Sequence, residues 1–385
     1  MARFLQLSAG VAPYDATLSL MLGLAHSFSQ ANTFRHFDIF SRHVPRGFRI
    51  SDSLITGRKA YSLENLDPRK YSPDDLLVYH HGIASDAESL IRQFPGPRFL
   101  VYHGLTPARF YLPFNLTVAG RLERGRRELS RLSSVFERAY CFSAVTEADL
   151  RGAGYLNIRK VDPPLYEFAP SAWHSDPDDS RSDGGTDELE KQTPIPGTPP
   201  VVLSLGRIVP NKNHEPLIRM AAALKRLQPG AKVILAGELR PGLEKYHRHL
   251  RDLIRALDVD DTVEMPGLLD SLALESLWNR STHFACTSLH EGFCIPLVEA
   301  MVRRRPVVYL MEHGSAASET MDGAGLGFRP MVPGLLAELI CEIHENETLK
   351  ASILAGQRQR LSQFKTDDLV HDILGQLVTV GVSDD

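Results

Sequence analysis

Short apolar runs alternate with longer amphipathic segments along most of the chain. In the second half, residues 201–206 (VVLSLG) have the continuous apolar character of a buried strand. Residues 214–227 then place Leu217, Ala221 and Leu224 on one face, as expected of a helix that packs on a sheet. The alternation continues with predicted strands KVILAG, TVEMPG, HFACTS and RPVVYL and predicted helices LEKYHRHLRDLIRAL, SLALESLWNRS and PLVEAMV. We predict that RPVVYL ends the main series.

The first half repeats this rhythm, with predicted strands FLQLS, FDIFS, LLVYHHG, RFLVYHG and RAYCFS. Residues 45–74 are polar and weakly periodic, and we predict loops there. Strands that alternate with helices form parallel sheets with helices on both faces. We therefore predict an α/β protein with two Rossmann-like, doubly wound domains that face a central cleft. Ligands of such sheets bind at the carboxyl ends of the strands.

A change of composition marks the domain boundary. Residues 171–200 are rich in Asp, Ser, Gly, Thr and Pro, and such a segment cannot bury a core. We predict a first domain over 1–170, an acidic Pro/Gly/Ser-rich linker or loop over 171–200, and a second domain over 201–365. A C-terminal helix over 366–385 is expected to pack back on the first domain. The length of 385 residues agrees with two domains.

Negative charge is concentrated in the predicted linker. Residues 175–191 carry seven acidic and two basic side chains, whereas the whole chain has a net charge of −4. The remainder is therefore close to neutral. Neutral folded domains give no electrostatic basis for binding nucleic acid, which we exclude as a partner.

Apolar runs and cysteines indicate a cytoplasmic protein. No run approaches the roughly 20 residues of a membrane-spanning helix, and the N-terminal residues lack the hydrophobic region of a signal peptide. Cys141, Cys286, Cys294 and Cys341 stand in apolar segments without the spacing of a metal site. We expect reduced and mostly buried thiols.

The segment LSLGRIVPNKNHEPL (203–217) places two cations after a predicted strand. Arg207 and Lys212 lie in the connection between this strand and the next helix. At the carboxyl end of a parallel strand, Arg can fork onto phosphate oxygens and Lys can act as a point charge. The alternative is a solvated basic loop. The segment is not a P-loop, because the pattern G-x-x-x-x-G-K-[ST] is absent.

The segment SLHEGFCIPLVEAM (288–301) is the second candidate. Gly292 permits a tight turn, and Pro296 suits the first position of a helix whose amides would bind an anion. Glu299 follows about one turn later and is placed to accept the hydroxyls of a ribose. Glu291 lies before the turn, on the other side of the same site. The alternative is helix electrostatics of about 0.3 to 1 kcal/mol, which would account for Glu299 but not for Glu291.

Histidines follow two strands of the first half. His80 and His81 end LLVYHHG, and His103 ends RFLVYHG, where side chains reach the predicted cleft. A structural role is the commoner alternative for a single histidine. No acidic residues at metal-ligand spacing accompany them, so we predict no metal site. Ser288 lacks a G-x-S-x-G elbow, which argues against a hydrolase.

The segment GRLERGRRELSRL (120–132) contains five arginines at helical spacing. Glu123, Glu128 and Glu137 stand near them, and the favoured interpretation is a solvated helix face. The alternative is a patch for an acceptor or for a membrane surface.

These motifs resemble a known family. EGFCIPLVE, an E-x7-E motif, occurs with GRIVPNKN earlier in the chain, and together they are similar to the retaining glycosyltransferases of family 4, which have the GT-B fold. GVAPYDA resembles the first glycine-containing loop of that family, YHGLTPARFY its His-containing acceptor-side segment, and ASETMDGAG also fits. The resemblance covers nearly the whole chain except the acidic linker.

The resemblance implies roles for individual residues. Arg207 and Lys212 would hold the donor diphosphate, and Glu299 would bind the ribose hydroxyls. Glu291 and His103 would act at the donor sugar and its reacting carbon as the catalytic pair. The remaining donor-binding residues would be Gly10, Gly292, Phe293, Cys294 and Leu297. Two positions depart from the family pattern: Val11 replaces a common second glycine, and Cys294 stands where glycine is frequent.

The implied activity is transfer of a hexose from a UDP- or GDP-linked donor to a hydroxyl acceptor. The acceptor would be a glycan, a polysaccharide or O-antigen precursor, or a glycolipid, with peripheral contact at the inner face of the membrane in the last case. Front-face attack would retain the anomeric configuration, and neither a metal nor another cofactor is expected. The alternatives are a sugar-nucleotide epimerase and a non-catalytic nucleotide-sugar-binding protein on the same fold.

Overall fold

The fold is described from a computed structural model over residues 2–12, 16–50, 52, 54–165, 197–329 and 331–380. The chain divides into two compact units. The first comprises residues 1–108, 117–167 and 365–385, and the second comprises residues 109–116 and 168–364. The predicted linker lies outside the described residues except for its last four, 197–200.

The first unit is built around a parallel sheet with the strand order β3-β2-β1-β4-β5-β6-β7. Its strands are β1 (Arg3–Gly10), β2 (His36–His43), β3 (Ile55–Ser62), β4 (Leu76–His81), β5 (Arg98–Tyr102), β6 (Arg138–Cys141) and β7 (Ile158–Lys160). Four helices connect them: α1 (Ala16–Gln30), α2 (Glu88–Gln93), α3 (Leu116–Arg131) and α4 (Ala144–Gly152).

The centre of this sheet forms the core of the first unit. All six residues of β4 are buried, and β1 buries six consecutive residues, because helices cover both faces of a doubly wound sheet. The chain order reverses between β1 and β4, which pair in parallel register with Ser8 opposite His80. The ends of β1, β2 and β4 therefore meet at one edge of the sheet, where such folds bind ligands.

The second unit has a parallel sheet with the order β10-β9-β8-β11-β12-β13. Its strands are β8 (Val201–Leu205), β9 (Lys232–Ala236), β10 (Val263–Gly267), β11 (His283–Cys286), β12 (Val307–Leu310) and β13 (Leu326–Phe328). Its helices are α5 (Glu215–Leu227), α6 (Glu244–Ala256), α7 (Ser271–Arg280), α8 (Ile295–Val302), α9 (Ala317–Met321), α10 (Pro333–Glu345) and α11 (Glu347–Leu361). The order reverses between β8 and β11, so the loops after these two strands are neighbours.

The predicted fold class of two doubly wound parallel sheets is confirmed, but three strands, β3, β7 and β13, were not predicted. The prediction of loops over 45–74 is wrong because β3 lies there. β3 pairs only with β2 at the sheet edge, so its eight residues lack a continuous apolar run. RPVVYL is not the last strand, since the three-residue β13 follows at the opposite edge of the second sheet.

The C-terminal helix α12 (Asp368–Val380) belongs to the first unit. Its Asp372 accepts hydrogen bonds of 2.7 Å from both Tyr140 Oη and Arg138 Nη1, and it also pairs with Arg159. These contacts join the helix to β6 and β7. Over the described residues, every helix is too short or too polar to cross a bilayer.

Candidate active site

The loop between β8 and α5 is built on two glycines. Gly206 directly follows the strand and has φ of +141°, and a Cβ there would lie 3.4 Å from Lys212 Nζ. Gly237 has φ of +143°, and its Cβ would lie 2.0 Å from the Gly206 carbonyl oxygen. Side chains at these positions would push the loop away from β9. The glycines therefore let the Lys212 side chain lie directly over the end of the strand.

Two asparagines and a threonine hold this loop against the loop after β11. Asn211 Nδ2 donates to His290 O at 3.2 Å, and Leu289 N donates to Asn211 O at 2.9 Å. Thr287 Oγ1 donates to Asn213 O at 2.7 Å, and Asn213 Nδ2 donates to Thr287 O at 3.2 Å. The two predicted motifs, distant in sequence, are thus one hydrogen-bonded unit.

Lys212 and Glu291 form the charged centre of this unit. Lys212 Nζ lies 2.5 Å from Glu291 Oε1, and only 15% and 11% of the two side chains are exposed. Burial is the largest single effect and disfavours the ammonium, but the Glu291 carboxylate together with Cys294 and Cys286 outweighs it and raises the pKa of Lys212 above its ordinary value. Lys212 is therefore a fixed positive charge at neutral pH. Arg207, three residues before the Pro210–Lys212 3₁₀ turn begins, is exposed, and no carboxylate of the described residues pairs with it.

The turn before α8 depends on an unusual backbone conformation at Cys294. This residue has φ of +75° and ψ of +61°, in the left-handed region that glycine adopts most readily. The conformation gives a physical reason for glycine to suit this position. Pro296 is the second residue of α8, one position later than predicted, and still lies in the first turn, where proline is tolerated. The eight-residue helix thus begins beside Lys212 and Glu291.

The segment after β12 supports this turn from behind. Glu291 forms an isolated parallel bridge with Ser315, and Ala316 N donates to Glu291 O at 3.2 Å. Thr320 Oγ1 donates to Phe293 O. These contacts place the ASETMDGAG segment behind the turn rather than among the groups that line it.

Glu299 is half-buried in α8. Burial raises the pKa of its carboxyl from 4.5 to about 7, and the charges of Arg303 and Lys212 only partly oppose this shift. Leu297, on the same helix, is fully buried, and its amide donates to Cys294 O at 3.0 Å. Leu297 and Glu299 are the two predicted site residues on α8, and only the side chain of Glu299 is polar and partly exposed.

Two thiols lie beside the charged pair. Cys286 Sγ and Cys294 Sγ are 3.7 Å apart, and all four cysteines are free, three of them buried. Cys286, Glu291 and Cys294 bring potential metal-ligand atoms within 4.8 Å of one another. Sequence spacing did not indicate this group, because its members come from a strand end, a loop and a helix cap. Within this group, the Glu291 carboxylate is paired with the Lys212 ammonium.

Tyr111 was not predicted as a site residue. Its hydroxyl donates to Asn211 Oδ1 at 3.4 Å. Burial raises the pKa of Tyr111, while the charges of Arg207, Arg240 and Lys212 act in the opposite direction. The ring therefore lies close to the predicted cations. Within the motif YHGLTPARFY, His103 was the only residue predicted to belong to the site.

His103 lies in the first unit at the end of a hydrogen-bonded chain. Gln6 Nε2 donates to Met21 O at 2.8 Å, which leaves Gln6 Oε1 as the acceptor for His80 Nε2–H at 2.9 Å. Burial holds the pKa of His80 well below its usual range, so its Nδ1 is an acceptor. His103 Nε2, 3.0 Å away, must then carry a proton. We call Gln6, His80 and His103 the histidine relay.

Other predicted residues of the first unit have different environments. His81 is fully buried, and burial lowers its pKa to about 3, so it is a neutral core residue. Gly10 ends β1 and has room for a Cβ, with His43 Cβ at 3.9 Å as the nearest atom. The structure brings Arg207, Lys212, Glu291, Gly292, Phe293, Cys294, Leu297 and Glu299 together in the second unit and places Gly10 and His103 in the first.

The arginine-rich helix α3 is not simply a solvated face, because Glu128 is 2% exposed. Its carboxylate accepts from Tyr79 Oη at 2.5 Å, from Ser85 Oγ at 3.0 Å and from Asp86 N at 3.0 Å. These partners lie more than forty residues away in sequence, so local charge pattern did not reveal them. The expectation of a solvated Glu128 is corrected accordingly.

Comparison with protein families shows that the second unit matches a known family model. Residues 185–363 match the family model described as "Glycosyl transferases group 1". A D-inositol 3-phosphate glycosyltransferase from Kineococcus radiotolerans is 32% identical over 186 residues, which are 46% of this chain and 40% of the relative. The chain thus matches well under half the length of this curated relative.

Solved structures agree with the whole fold. Anabaena Alr3699/HepE, crystallised with UDP and glucose, matches with a TM-score of 0.68 and 17% identity over 98% of this chain and all of the other. Sucrose-phosphate synthase from Thermosynechococcus elongatus matches with a TM-score of 0.66 and 18% identity over 98% of both chains. At this identity the likeness shows the fold alone. The chain therefore has the GT-B fold, and its second unit carries a glycosyl transferases group 1 domain.

Proposed function

We propose that this protein is a retaining glycosyltransferase that transfers a hexose from a UDP- or GDP-linked donor to a hydroxyl acceptor. The observation that carries the proposal is the Lys212 ammonium, held by Glu291 at the start of α8. A fixed cation beside a helix start stabilises a departing diphosphate without reorganisation, which is the main electrostatic requirement of this reaction.

The other residues have complementary roles in this proposal. Arg207 pairs with the diphosphate from the solvent side, and Glu299 accepts the ribose hydroxyls. Gly292, Phe293 and Cys294 present backbone groups to the donor. His103, with its Nε2–H directed at His80, accepts a hydrogen bond at Nδ1 from a hydroxyl of the donor sugar. No step of this mechanism requires a metal ion, because Lys212 and Arg207 supply the positive charge.

The names of the relatives support this assignment. The matched relative acts on D-inositol 3-phosphate, and the solved neighbour from Anabaena binds UDP and glucose. The acceptor in our proposal is a glycan, a polysaccharide precursor or a glycolipid. The protein acts in the cytoplasm, with peripheral membrane contact where the acceptor is a lipid.

The proposal can be tested with a panel of UDP- and GDP-sugars. Each sugar nucleotide is assayed first for thermal stabilisation of the protein and then for nucleotide release. A donor that binds only the folded state raises the unfolding temperature. Nucleotide release that requires an acceptor, with the product anomer matching the donor by NMR, is the expected result. Interconversion of sugar nucleotides without an acceptor would indicate an epimerase, and binding without turnover would indicate a non-catalytic protein.

Removal of metal ions with EDTA tests whether turnover is independent of metals. Turnover in EDTA is expected to equal that of untreated enzyme. A loss that Mg²⁺ or Mn²⁺ restores would contradict the proposed role of Lys212 and Arg207 as the cations of the reaction.

A further inference from the structure

Cys286 and Cys294 form a pair of neighbouring thiols inside the second unit. Cys286 is the last residue of β11, and Cys294 is the N-cap of α8. Their sulfurs are 3.7 Å apart, and each residue is only 6% exposed. The nearby Glu291 carboxylate is already paired with the Lys212 ammonium. Each thiol therefore has the other sulfur, in van der Waals contact, as a reactive partner.

A small movement is enough to join the two sulfurs. A disulfide bond is about 2.05 Å long, so the sulfurs must approach by roughly 1.7 Å from their separation of 3.7 Å. Cys286 belongs to a strand that is paired on both sides, with β8 and with β12. Cys294 lies in a turn between the strand and α8. The turn is therefore the side that moves when the bond forms.

The surroundings of the pair favour reaction at Cys286. The hydrogen bond from the Cys294 thiol is the largest effect on Cys286 and lowers its pKa, and the Lys212 ammonium acts in the same direction. Burial and the Glu291 carboxylate oppose this change without reversing it. The thiolate is the form of cysteine that reacts with peroxides. Cys286 is therefore the nucleophile of the pair, and Cys294 is the resolving thiol.

We propose that Cys286 and Cys294 are a site of reversible oxidation, at which a disulfide inactivates the proposed donor site. The Cys286 sulfur attacks one oxygen of hydrogen peroxide, the O–O bond breaks, and the departing hydroxide takes the thiol proton to give water and a sulfenic acid. The Cys294 sulfur then attacks the sulfenic sulfur, and the hydroxyl leaves with the Cys294 thiol proton as a second water. The two sulfurs lose two electrons in total, and the peroxide is reduced to two waters. Thiol exchange with a dithiol reductant reverses the modification.

The disulfide changes the turn that carries the proposed donor contacts. Cys294 O accepts from Leu297 N at 3.0 Å in the first turn of α8, and Phe293 O accepts from Thr320 Oγ1. Drawing Cys294 toward β11 displaces these backbone groups relative to Lys212. This consequence rests on the proposed function, because it takes the turn as part of the donor site. We expect the affinity for UDP or GDP to fall about tenfold, the size of one lost charge-assisted hydrogen bond.

Peptide mass spectrometry of the full chain detects the disulfide directly. Trypsin cleaves after Arg280 and Arg303, so both thiols lie on one peptide, residues 281–303. When untreated protein is denatured in iodoacetamide, both cysteines of this peptide are expected to be alkylated. After treatment with equimolar hydrogen peroxide, neither should be alkylated, the peptide should have lost two hydrogens, and dithiothreitol should restore alkylation. Unchanged alkylation, or oxygen added to either cysteine in place of the disulfide, would overturn the proposal.

Cys286→Ala separates the disulfide from other oxidation of the protein. Calorimetry with UDP and GDP is expected to show unchanged affinity in this variant before and after peroxide. Cys341→Ala is the matched control, because it removes a partly exposed thiol on α10. It should lose affinity as the unaltered protein does and recover it in dithiothreitol. Equal loss in Cys286→Ala, or protection in Cys341→Ala, would overturn the proposal, and thermal unfolding verifies that both variants are folded.

The two measurements separate this inference from the proposed function. Absence of UDP and GDP binding in untreated protein would count against the proposed function, whereas the mass of the 281–303 peptide still supports or overturns the disulfide. A disulfide that forms and leaves nucleotide affinity unchanged would overturn the inference that oxidation inactivates the donor site.

Discussion

Lys212 Nζ lies 2.5 Å from Glu291 Oε1, and the two side chains are 15% and 11% exposed. Each charge has lost most of its water and has the other as its close counter-ion. Removing one partner therefore leaves an uncompensated, largely buried charge, whereas removing both does not. The pair therefore contributes to the stability of the second unit. Its lysine also carries the positive charge that, in our proposal, binds the donor diphosphate.

Lys212→Met is expected to lower the free energy of unfolding by about 3 kcal/mol and to abolish nucleotide binding. The double variant Lys212→Met/Glu291→Gln should recover most of that stability but not the binding. Urea unfolding and calorimetry measure the two quantities. Arg219→Ala, which breaks an exposed pair with Glu215 on α5, is the control and should cost at most about 0.5 kcal/mol. A double variant as unstable as the single one would contradict this account.

Cys294→Gly is expected to be about 1 kcal/mol more stable than Cys294→Ala. Both lack the thiol, so their difference isolates the left-handed backbone, which costs residues with a Cβ about 1 to 2 kcal/mol. Both should bind nucleotide, since the proposed contact is through the backbone. Cys286, in strand β11, provides the matched pair of variants, and there alanine should be the more stable. The same order at both positions would show that backbone conformation is not the cause.

Glu299→Gln should alter the pH dependence of stability without ligand. Because the folded pKa is raised from 4.5 to about 7, ionisation opposes folding, and this cost grows between about pH 4.5 and pH 7. The variant should gain stability relative to the unaltered protein as pH rises through this window, with no further gain above it. Thermal unfolding measured from about pH 4 to about pH 8, a range that spans this window, determines the effect. Glu338→Gln, at an exposed carboxyl on α10, is the control.

Nucleotide binding should show the opposite dependence on the same carboxyl. A carboxylate accepts both ribose hydroxyls and a protonated carboxyl does not, so affinity should rise with pH up to about 7 in the unaltered protein. Glu299→Gln should bind more weakly and without that rise. An identical pH profile in both proteins would remove Glu299 from the site.

Gln6→Leu is expected to lower kcat about tenfold while leaving nucleotide affinity unchanged, because it removes the acceptor that fixes the tautomer of His80 and hence of His103. Gln6→Glu keeps the acceptor and should retain more activity. Nitrogen-15 NMR of the His103 ring should show the change of tautomer in Gln6→Leu. Gln93→Leu, at an exposed glutamine on α2, is the control. Lost activity with an unaltered His103 spectrum would indicate a structural role only.

Apolar periodicity predicted most of the strands and helices because buried parallel strands need continuous apolar runs. It failed at β3, which lies at a sheet edge and is interrupted by the exposed residues Gly57 and Lys59, and at the three-residue strands β7 and β13. The motifs around Arg207 and Lys212 and around Glu291 and Glu299 identified the candidate site because loops after adjacent strands must meet. Asn211, Asn213 and Thr287 were not identified, since their partners lie more than seventy residues away.

The sequence by itself determined the alternation of strands and helices, the two doubly wound sheets and the chemical types at the ends of β8 and β11. These follow from local hydrophobic pattern and from turn residues, which act over a few positions. Tertiary structure alone decided that Glu291 neutralises Lys212, that burial raises the pKa of Glu299, and that Gln6 orients His103 through His80. Desolvation and charge pairing depend on what surrounds a group in space, and residues distant along the chain supply those surroundings.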